Sequence, residues 1–294
     1  MSKRVKFDFE IDFTNGGGIQ GQDFRLDIDG DDIEDKILAD YIVQDMRLLM
    51  VGEVRILNKE IITEAHKRQP IHVENDLSYI DLSHVIYDGL VTYKGLPAPI
   101  ICDYLSREAS RERYAPGTEF QIGKIEMVTN TGTYVDCPFH RCEDGKDLSE
   151  VELESFVDLE GIVIRADHRK DMSIDAEFFK NKELRNRAVL VHTGWDQHWT
   201  TDQYFEGHPF LTEDAAIYLR QSGVKLVGID SFNIDDVRGG SRPVHSTLLR
   251  ADILIAEHLC NLSKVPDEGF TFTAVPPKFK GAGTFPVRAF ARLK

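Results

Sequence analysis

Four short runs, Ile162–Ala166, Ala188–Thr193, Lys225–Asp230 and Ile253–Glu257, constrain most strongly what this chain can fold into. Each is largely apolar over the length of a strand and too short for an ordinary helix. That is the pattern of strands covered on both faces. Between them lie helical stretches at Asp175–Asn181, Glu213–Gln221 and His245–Arg250, the second with Thr212 placed as N-cap and Gly223 as its stop. Tyr79–Leu82 and Phe120–Val128 read as further strands. Strands and helices in this alternation predict an α/β domain with a mixed sheet over residues 71–294.

Residues 1–70 differ and read as a separate α+β extension of unknown role. Lys6–Phe13 alternates as a strand does, and Asn15–Gly21 is a glycine-rich turn before a second alternating stretch, Phe24–Ile28. Asp31 and Asp32 open a helical pattern with Ile33, Ile37, Leu38, Tyr41, Ile42 and Met46 on one face, stopping by Gly52. Glu53–Ile62 offers one or two short strands, and Ala65–Pro70 reads as a linker. Two motif-like runs here carry no site. No Gly-Lys-Ser/Thr follows Gly16-Gly17-Gly18, and Asp27, Asp29 and Asp31 lack the sixth-position glycine and closing glutamate of a calcium loop.

With 41% hydrophobic and 29% charged residues, 294 residues are enough for a substantial core. A net charge of −15 argues against nonspecific nucleic-acid binding and against docking on an anionic membrane. An acidic surface alone names no partner, and the small-molecule partner expected here rests on the chemistry of the site residues. The start of the chain has no apolar stretch of signal-peptide length and nothing later reaches a membrane span, so a cytoplasmic location is expected. Four cysteines are too few for a disulfide framework. Cys137 and Cys142 flank His140, but no second cluster completes a zinc knuckle, and both read as free thiols.

The chemistry concentrates in Thr129–His140, where Asp136 and His140 stand four residues apart across a Cys-Pro step. Proline drives the residue before it into extended geometry, which puts the pair at a strand end or turn. Alone, they would most simply be a cap and a surface imidazole. Glu257 closes an apolar run where a carboxylate needs a cation or hydrogen bonds, and His245 follows Arg242-Pro243 at a helix start. Asp136, His245 and Glu257 together offer one nitrogen and two oxygens to zinc or manganese. An ion there could lower the pKa of water from about 15.7 to about 7, with the resulting hydroxide attacking a carbonyl and His140 as acid/base. Asn130 could steady the oxyanion. His192, His198 and His208, with Trp195 and Trp199, either line a pocket or pack over a sheet edge, and His84 could shape the entrance.

These segments, in this order, resemble the cyclase-like family of metal-dependent hydrolases, which includes bacterial kynurenine formamidase and isatin hydrolase. The resemblance covers roughly residues 78–290. It rests on Asp81-Leu82-Ser83-His84, Gly132-Thr133 through Asp136, Pro138 and His140, His192-Thr193-Gly194-Trp195, Gly223 to Asp230, and His245 with Glu257 and Asn261-Leu262. It implies a compact α/β domain around a mixed, barrel-like sheet, a homo-oligomer, Asp136, His245 and Glu257 as metal ligands, and His140 as catalytic base. The family signature His-x-Gly-Thr-His-x-Asp-x-Pro-x-His has histidines where this chain has Asn130 and Tyr134. Neither residue replaces a histidine ligand well, since a phenol with a pKa of about 10 must lose its proton to bind. One divalent ion or none is therefore expected, with Asn130, Tyr134 and Trp195 assigned to substrate. The leading reading is an arylformamidase-like hydrolase of an amide, lactone or related bond. The alternative is a non-catalytic small-molecule-binding protein on the same scaffold, and cyclisation or dehydration is a third possibility.

Overall fold

Val5, Phe7, Phe9 and Ile11 alternate with polar residues, and all four are buried, so strand β1 (Ser2–Phe13) is apolar on one face. It pairs antiparallel with β2 (Gly18–Asp27) and, after helix α1 (Asp35–Asp45), with β3 (Val51–Glu64), in the order β2-β1-β3. Leu38 and Ile42, one turn apart on α1, complete the core of this unit. The helix starts later than Asp31, at Asp35, because Glu34 before it is still extended (φ −69°, ψ 144°). Ile37 and Tyr41 fall outside its buried stripe, at 55% and 38% exposure. Glu53–Ile62 belongs to one long strand rather than two short ones.

The computed structural model describes residues 2–28, 30–64, 78–167 and 172–294. The chain divides into two compact units, Met1–Asn75 and Asp76–Lys294. The linker expected at Ala65–Pro70, the expected boundary at residue 70 and Asp29 of the calcium-like run lie outside the described residues.

The second unit begins with β4 (Tyr79–Asp81). A separate two-stranded ribbon follows, β5 (Ile100–Leu105) and β6 (Ile122–Glu126), around a short helix α2 (Arg107–Arg113). Next come β7 (Tyr134–Asp136), β8 (Leu159–Arg165), β9 (Ser173–Ile174), β10 (Ala188–His192) and β11 (Phe210–Leu211). The chain finishes with α3 (Glu213–Ser222), β12 (Leu226–Ile229), α4 (Pro243–Leu249), β13 (Leu254–Glu257), β14 (Phe270–Thr273), β15 (Thr284–Pro286) and β16 (Phe290–Leu293). Nine of these strands form one curled, half-barrel sheet in the order β15-β7-β13-β12-β10-β8-β14-β16-β4. Its four central strands run parallel and its flanks antiparallel, so the expected mixed, barrel-like α/β sheet is present.

Alternate residues of the central strands feed two cores. Ile162, Val189, Val227 and Ile255 face Leu219 and Leu248 of the helices, while Val163, Leu190, Leu226 and Leu254 face Phe270 and Phe272. Helix α3 ends at Gly223 with φ of 72°, a left-handed stop that favours glycine. Thr212 holds its N-cap position, but its hydroxyl donates to the Ile174 carbonyl rather than capping an amide. The helix expected at Asp175–Asn181 is a single 3-10 turn, Ala176–Phe179. The strand expected at Phe120–Val128 is present as Ile122–Glu126, but in the two-stranded ribbon rather than the nine-stranded sheet, and it is exposed along its length.

Candidate metal centre

Strand register assembles the site. Tyr134 and Asp136 are two residues apart on β7 and so share a face, and Glu257 of β13 lies opposite Tyr134. On the other side of β7, Thr284 of β15 lies opposite Asp136. The chain after Asp136 turns through Pro138–His140, and the turn requires a close approach. A Cβ on Gly283 would lie 2.4 Å from the His140 amide nitrogen. At the other end of the segment, Gly132 has φ of +65° and a Cβ there would meet Ile86 at 2.7 Å.

Asp136 is fully buried. Its Oδ1 accepts the Thr284 hydroxyl, and its Oδ2 has no hydrogen-bond partner. The Thr284 oxygen also lies 2.8 Å from His140 Nδ1. A hydroxyl has one proton, so the oxygen that donates to Asp136 accepts from His140, which places the imidazole proton on Nδ1 and leaves Nε2 basic. His245 is held the same way. Asp235 Oδ2 lies 2.6 Å from its Nδ1, and the Asp235 carboxylate also accepts the Val244 and His245 amides. That fixes His245 Nε2 toward Asp136 Oδ2 at 3.7 Å and Glu257 Oε2 at 3.8 Å.

Burial works against charge on His245, but Glu257, Asp136 and Asp235 outweigh it and raise the imidazole above its ordinary value. Burial, and then the Asp136 charge, raises the Glu257 carboxyl. Both shifts record an excess of buried carboxylate over buried cation. Glu257 is otherwise satisfied: Oε1 accepts the Ile234 amide and Oε2 the Tyr134 hydroxyl, each at 2.6 Å. Tyr134 in turn takes a hydrogen bond from Tyr93 at 2.7 Å. Burial raises the Tyr134 phenol well above its usual value, so it stays protonated and acts as a donor.

The residues present fit a divalent ion. Donor atoms of Asp136, His140 and His245 all lie within 4.8 Å of one another, with Glu257 beside them. Ligands bonded at about 2.1 Å to a tetrahedral ion stand about 3.4 Å apart, close to the 3.7 and 3.8 Å that separate His245 Nε2 from Asp136 Oδ2 and Glu257 Oε2. The orphaned Asp136 oxygen is the one buried acceptor in the cluster that such an ion would satisfy.

Of the residues expected at the site, Asp136, His140, His245 and Glu257 come together, and Asn130 and Tyr134 line the adjoining cavity of about 150 Å³. Trp195 does not. It is 2% exposed, donates Nε1 to the Tyr204 carbonyl and packs with Tyr204 and Phe232. The Thr193 and Gly194 amides bind the buried Asp230 carboxylate and fold that loop inward. His208 packs on Phe232, and His192 stands beside Arg165. His84 stacks on Trp199. Cys137 is buried, its thiol pushed up to about 12, and Cys142 is also free. Thr284, Asp235, Tyr93, Arg141 and Arg242 were missed. Only Asp235, in the acidic run before the His245 helix, carried a sequence signal.

A buried point where strand ends and a helix deliver carboxylates and imidazoles, on a curled mixed sheet, defines an α/β protein with a candidate metal centre. Similarity to known proteins supports the class of metal-dependent hydrolases. The Cyclase family model, described as "Putative cyclase", matches residues 80–236. The chain is 31% identical over 185 residues to a kynurenine formamidase of Geobacillus thermodenitrificans, covering 62% of this chain and 85% of that protein. It is 28% identical over 220 residues to one of Bacillus mycoides, covering 73% and 97%. Among solved structures, isatin hydrolase A from Labrenzia aggregata, bound to benzyl benzoate, superposes with a TM-score of 0.65 at 20% identity over 74% of this chain and 94% of that one. A potential metal-dependent hydrolase with cyclase activity gives 0.61 at 24%, over 74% and 98%. The chain belongs to the Cyclase family. No helix among the described residues is long and apolar enough to cross a membrane.

Proposed function

We propose that this chain is an arylformamidase-like hydrolase of an amide, lactone or related carbonyl–heteroatom bond, working with one divalent ion, zinc or manganese. The carrying observation is the buried, unpartnered Asp136 Oδ2 facing His245 Nε2 at 3.7 Å. Asp136, His245 and Glu257 would hold the ion, which when bound supplies a Lewis acid and acidifies water. Thr284 keeps the His140 proton on Nδ1, so Nε2 takes the proton of the attacking water and returns it to the leaving nitrogen or oxygen. The Asn130 amide faces the same cavity and orients the carbonyl. Kynurenine formamidase and isatin hydrolase relatives support a reaction of this class.

Purified protein should contain close to one divalent ion per chain, and Asp136→Ala or Glu257→Ala should empty the site. Full occupancy in both variants would sink the ligand assignment. His140→Ala should lower turnover of N-formyl anilides, lactones or cyclic amides by about 10²–10⁴. The Tyr134–Glu257 hydrogen bond favours a second reading, a binding protein that has lost the chemistry. Ligand binding without metal, and without His140-sensitive turnover, would establish that one.

A further inference from the structure

The rim of the cavity carries a charge that the hydrolase reading does not use. Arg141 follows His140 directly, Arg242 precedes His245 by three residues, and both line the cavity with Asn130 and Asn233. Neither guanidinium makes an ion pair among the described residues, whereas Arg165, Arg238, Arg288 and Arg292 each hold a carboxylate. In a chain of net charge −15, two arginines without carboxylates at one opening are a local reversal of sign.

Both are anchored through part of the head group only. Arg141 Nε donates to Ser246 Oγ at 3.0 Å. Arg242 Nη1 points at the carbonyls of Asp236, Gly239 and Ser241, at 3.4, 2.9 and 2.7 Å. The remaining N–H groups of each planar fork are uncommitted, and such forks match the two oxygens of a carboxylate. Glu257 lines the same cavity and Asp136 is buried beside His245, and both acids would repel an anion from its inner end. The site is therefore bipolar, with an inner end that needs a cation and a rim that offers two.

Resting on the hydrolase reading above, we infer that the substrate carries an anionic group, a carboxylate, which Arg141 and Arg242 clamp at the rim while its scissile carbonyl sits beside His140. The cavity, about 150 Å³, has the volume of about five waters at about 30 Å³ each, so the two groups belong to one small molecule with a short spacer. The arginines act as specificity residues. They select the charged substrate over a neutral isostere by at least about tenfold.

Benzoate and benzamide, alike in shape and different in charge, test this by calorimetry on the metal-loaded full chain. Benzoate should bind at least about tenfold tighter, increasingly so at low salt. Arg141→Gln and Arg242→Gln should each reduce the preference, and the double variant should abolish it with bound metal unchanged. Arg242→Gln could loosen the 236–241 turn, whereas Arg141→Gln gives up a single surface hydrogen bond and keeps the test open. Equal binding of the two probes, or a preference that survives both substitutions, overturns the clamp. In parallel, 3-formamidobenzoate should exceed formanilide in kcat/KM, and the ratio should fall toward unity in the variants. Formanilide turnover with no charge preference removes the clamp and leaves the hydrolase. Arginine-dependent benzoate binding with neither compound turned over supports the clamp and counts against the hydrolase.

Discussion

Tyr134 separates this chain from the signature it otherwise resembles. A histidine in its place would offer a lone pair to a metal. The phenol instead donates to Glu257 Oε2 at 2.6 Å and, buried, keeps its proton. It holds with a hydrogen bond one carboxylate that would otherwise need more cation. Restoring both signature histidines, Asn130→His with Tyr134→His, should raise bound divalent metal from about one to about two ions per chain, read by elemental analysis. Tyr134→Phe should not, because it supplies no ligand. A double variant that still binds a single ion would show that something other than these side chains sets the stoichiometry. A second residue-scale prediction concerns His84. Its ring stacks on Trp199 with centroids 4.0 Å apart, Nε2 is buried without a partner, and burial lowers its pKa from 6.5 to about 4. Below pH 6.5 the unfolded chain takes up this proton and the folded one does not, so the stability contribution is full above that pH and is lost as pH falls toward 4. Partial exposure reduces the effect, and the expected loss between pH 7 and 5 is about 1–2 kcal/mol. His84→Phe keeps a ring against Trp199 and should remove that much of the slope in denaturant melts.

At the scale of elements, β15 is a short edge strand whose contribution to the site is one hydroxyl. Thr284 ties Asp136 to His140 only because β15 pairs with β7 in the register that sets Thr284 against Asp136. Thr284→Val keeps shape and β-propensity and removes the tie. The expected result is a fall in kcat of about ten- to hundredfold with KM and bound metal little changed. A loss confined to KM would assign the hydroxyl to binding instead. The same strand shows what could be read from the chain alone. Ile162–Ala166, Ala188–Thr193, Lys225–Asp230 and Ile253–Glu257 were legible because strands buried on both faces carry their environment in their composition. Asp136, His140, His245 and Glu257 were legible because a known pattern spaces them. Thr284 was not, since its role depends on a pairing across 148 residues. The apolar residues of β6 point to a buried strand, yet Ile122 and Ile125 are 44% and 60% exposed, because composition cannot say which layer, if any, covers a strand. Trp195 was misplaced for a related reason: its loop is turned inward by Asp230, 37 residues on, which accepts the Thr193 and Gly194 amides and the Thr193 hydroxyl, a pairing that spacing along the chain does not announce.

At the scale of the whole molecule, the chain has two units with separate cores, and all the candidate chemistry lies in one of them. Val5, Phe7, Phe9, Leu38 and Ile42 form the first unit's core, while the candidate metal donors and the nine-stranded sheet belong to the second. The family match begins at residue 80, so the first unit lies outside it. Metal should therefore stabilise one unit only. At free metal about a hundredfold above its dissociation constant, the gain is about 2.7 kcal/mol, or on the order of 5–10 °C for a unit of this size. Calorimetry of the full chain with and without chelator should show that shift. Two core substitutions then identify the transition that moves. Leu219→Ala empties space beneath the central sheet, Phe7→Ala empties the first unit's core, and each costs about 2–5 kcal/mol. The metal-sensitive transition should be the one lowered by Leu219→Ala. If chelation instead moves the transition lowered by Phe7→Ala, the ion is held by the first unit, and Asp136, His245 and Glu257 are not its ligands.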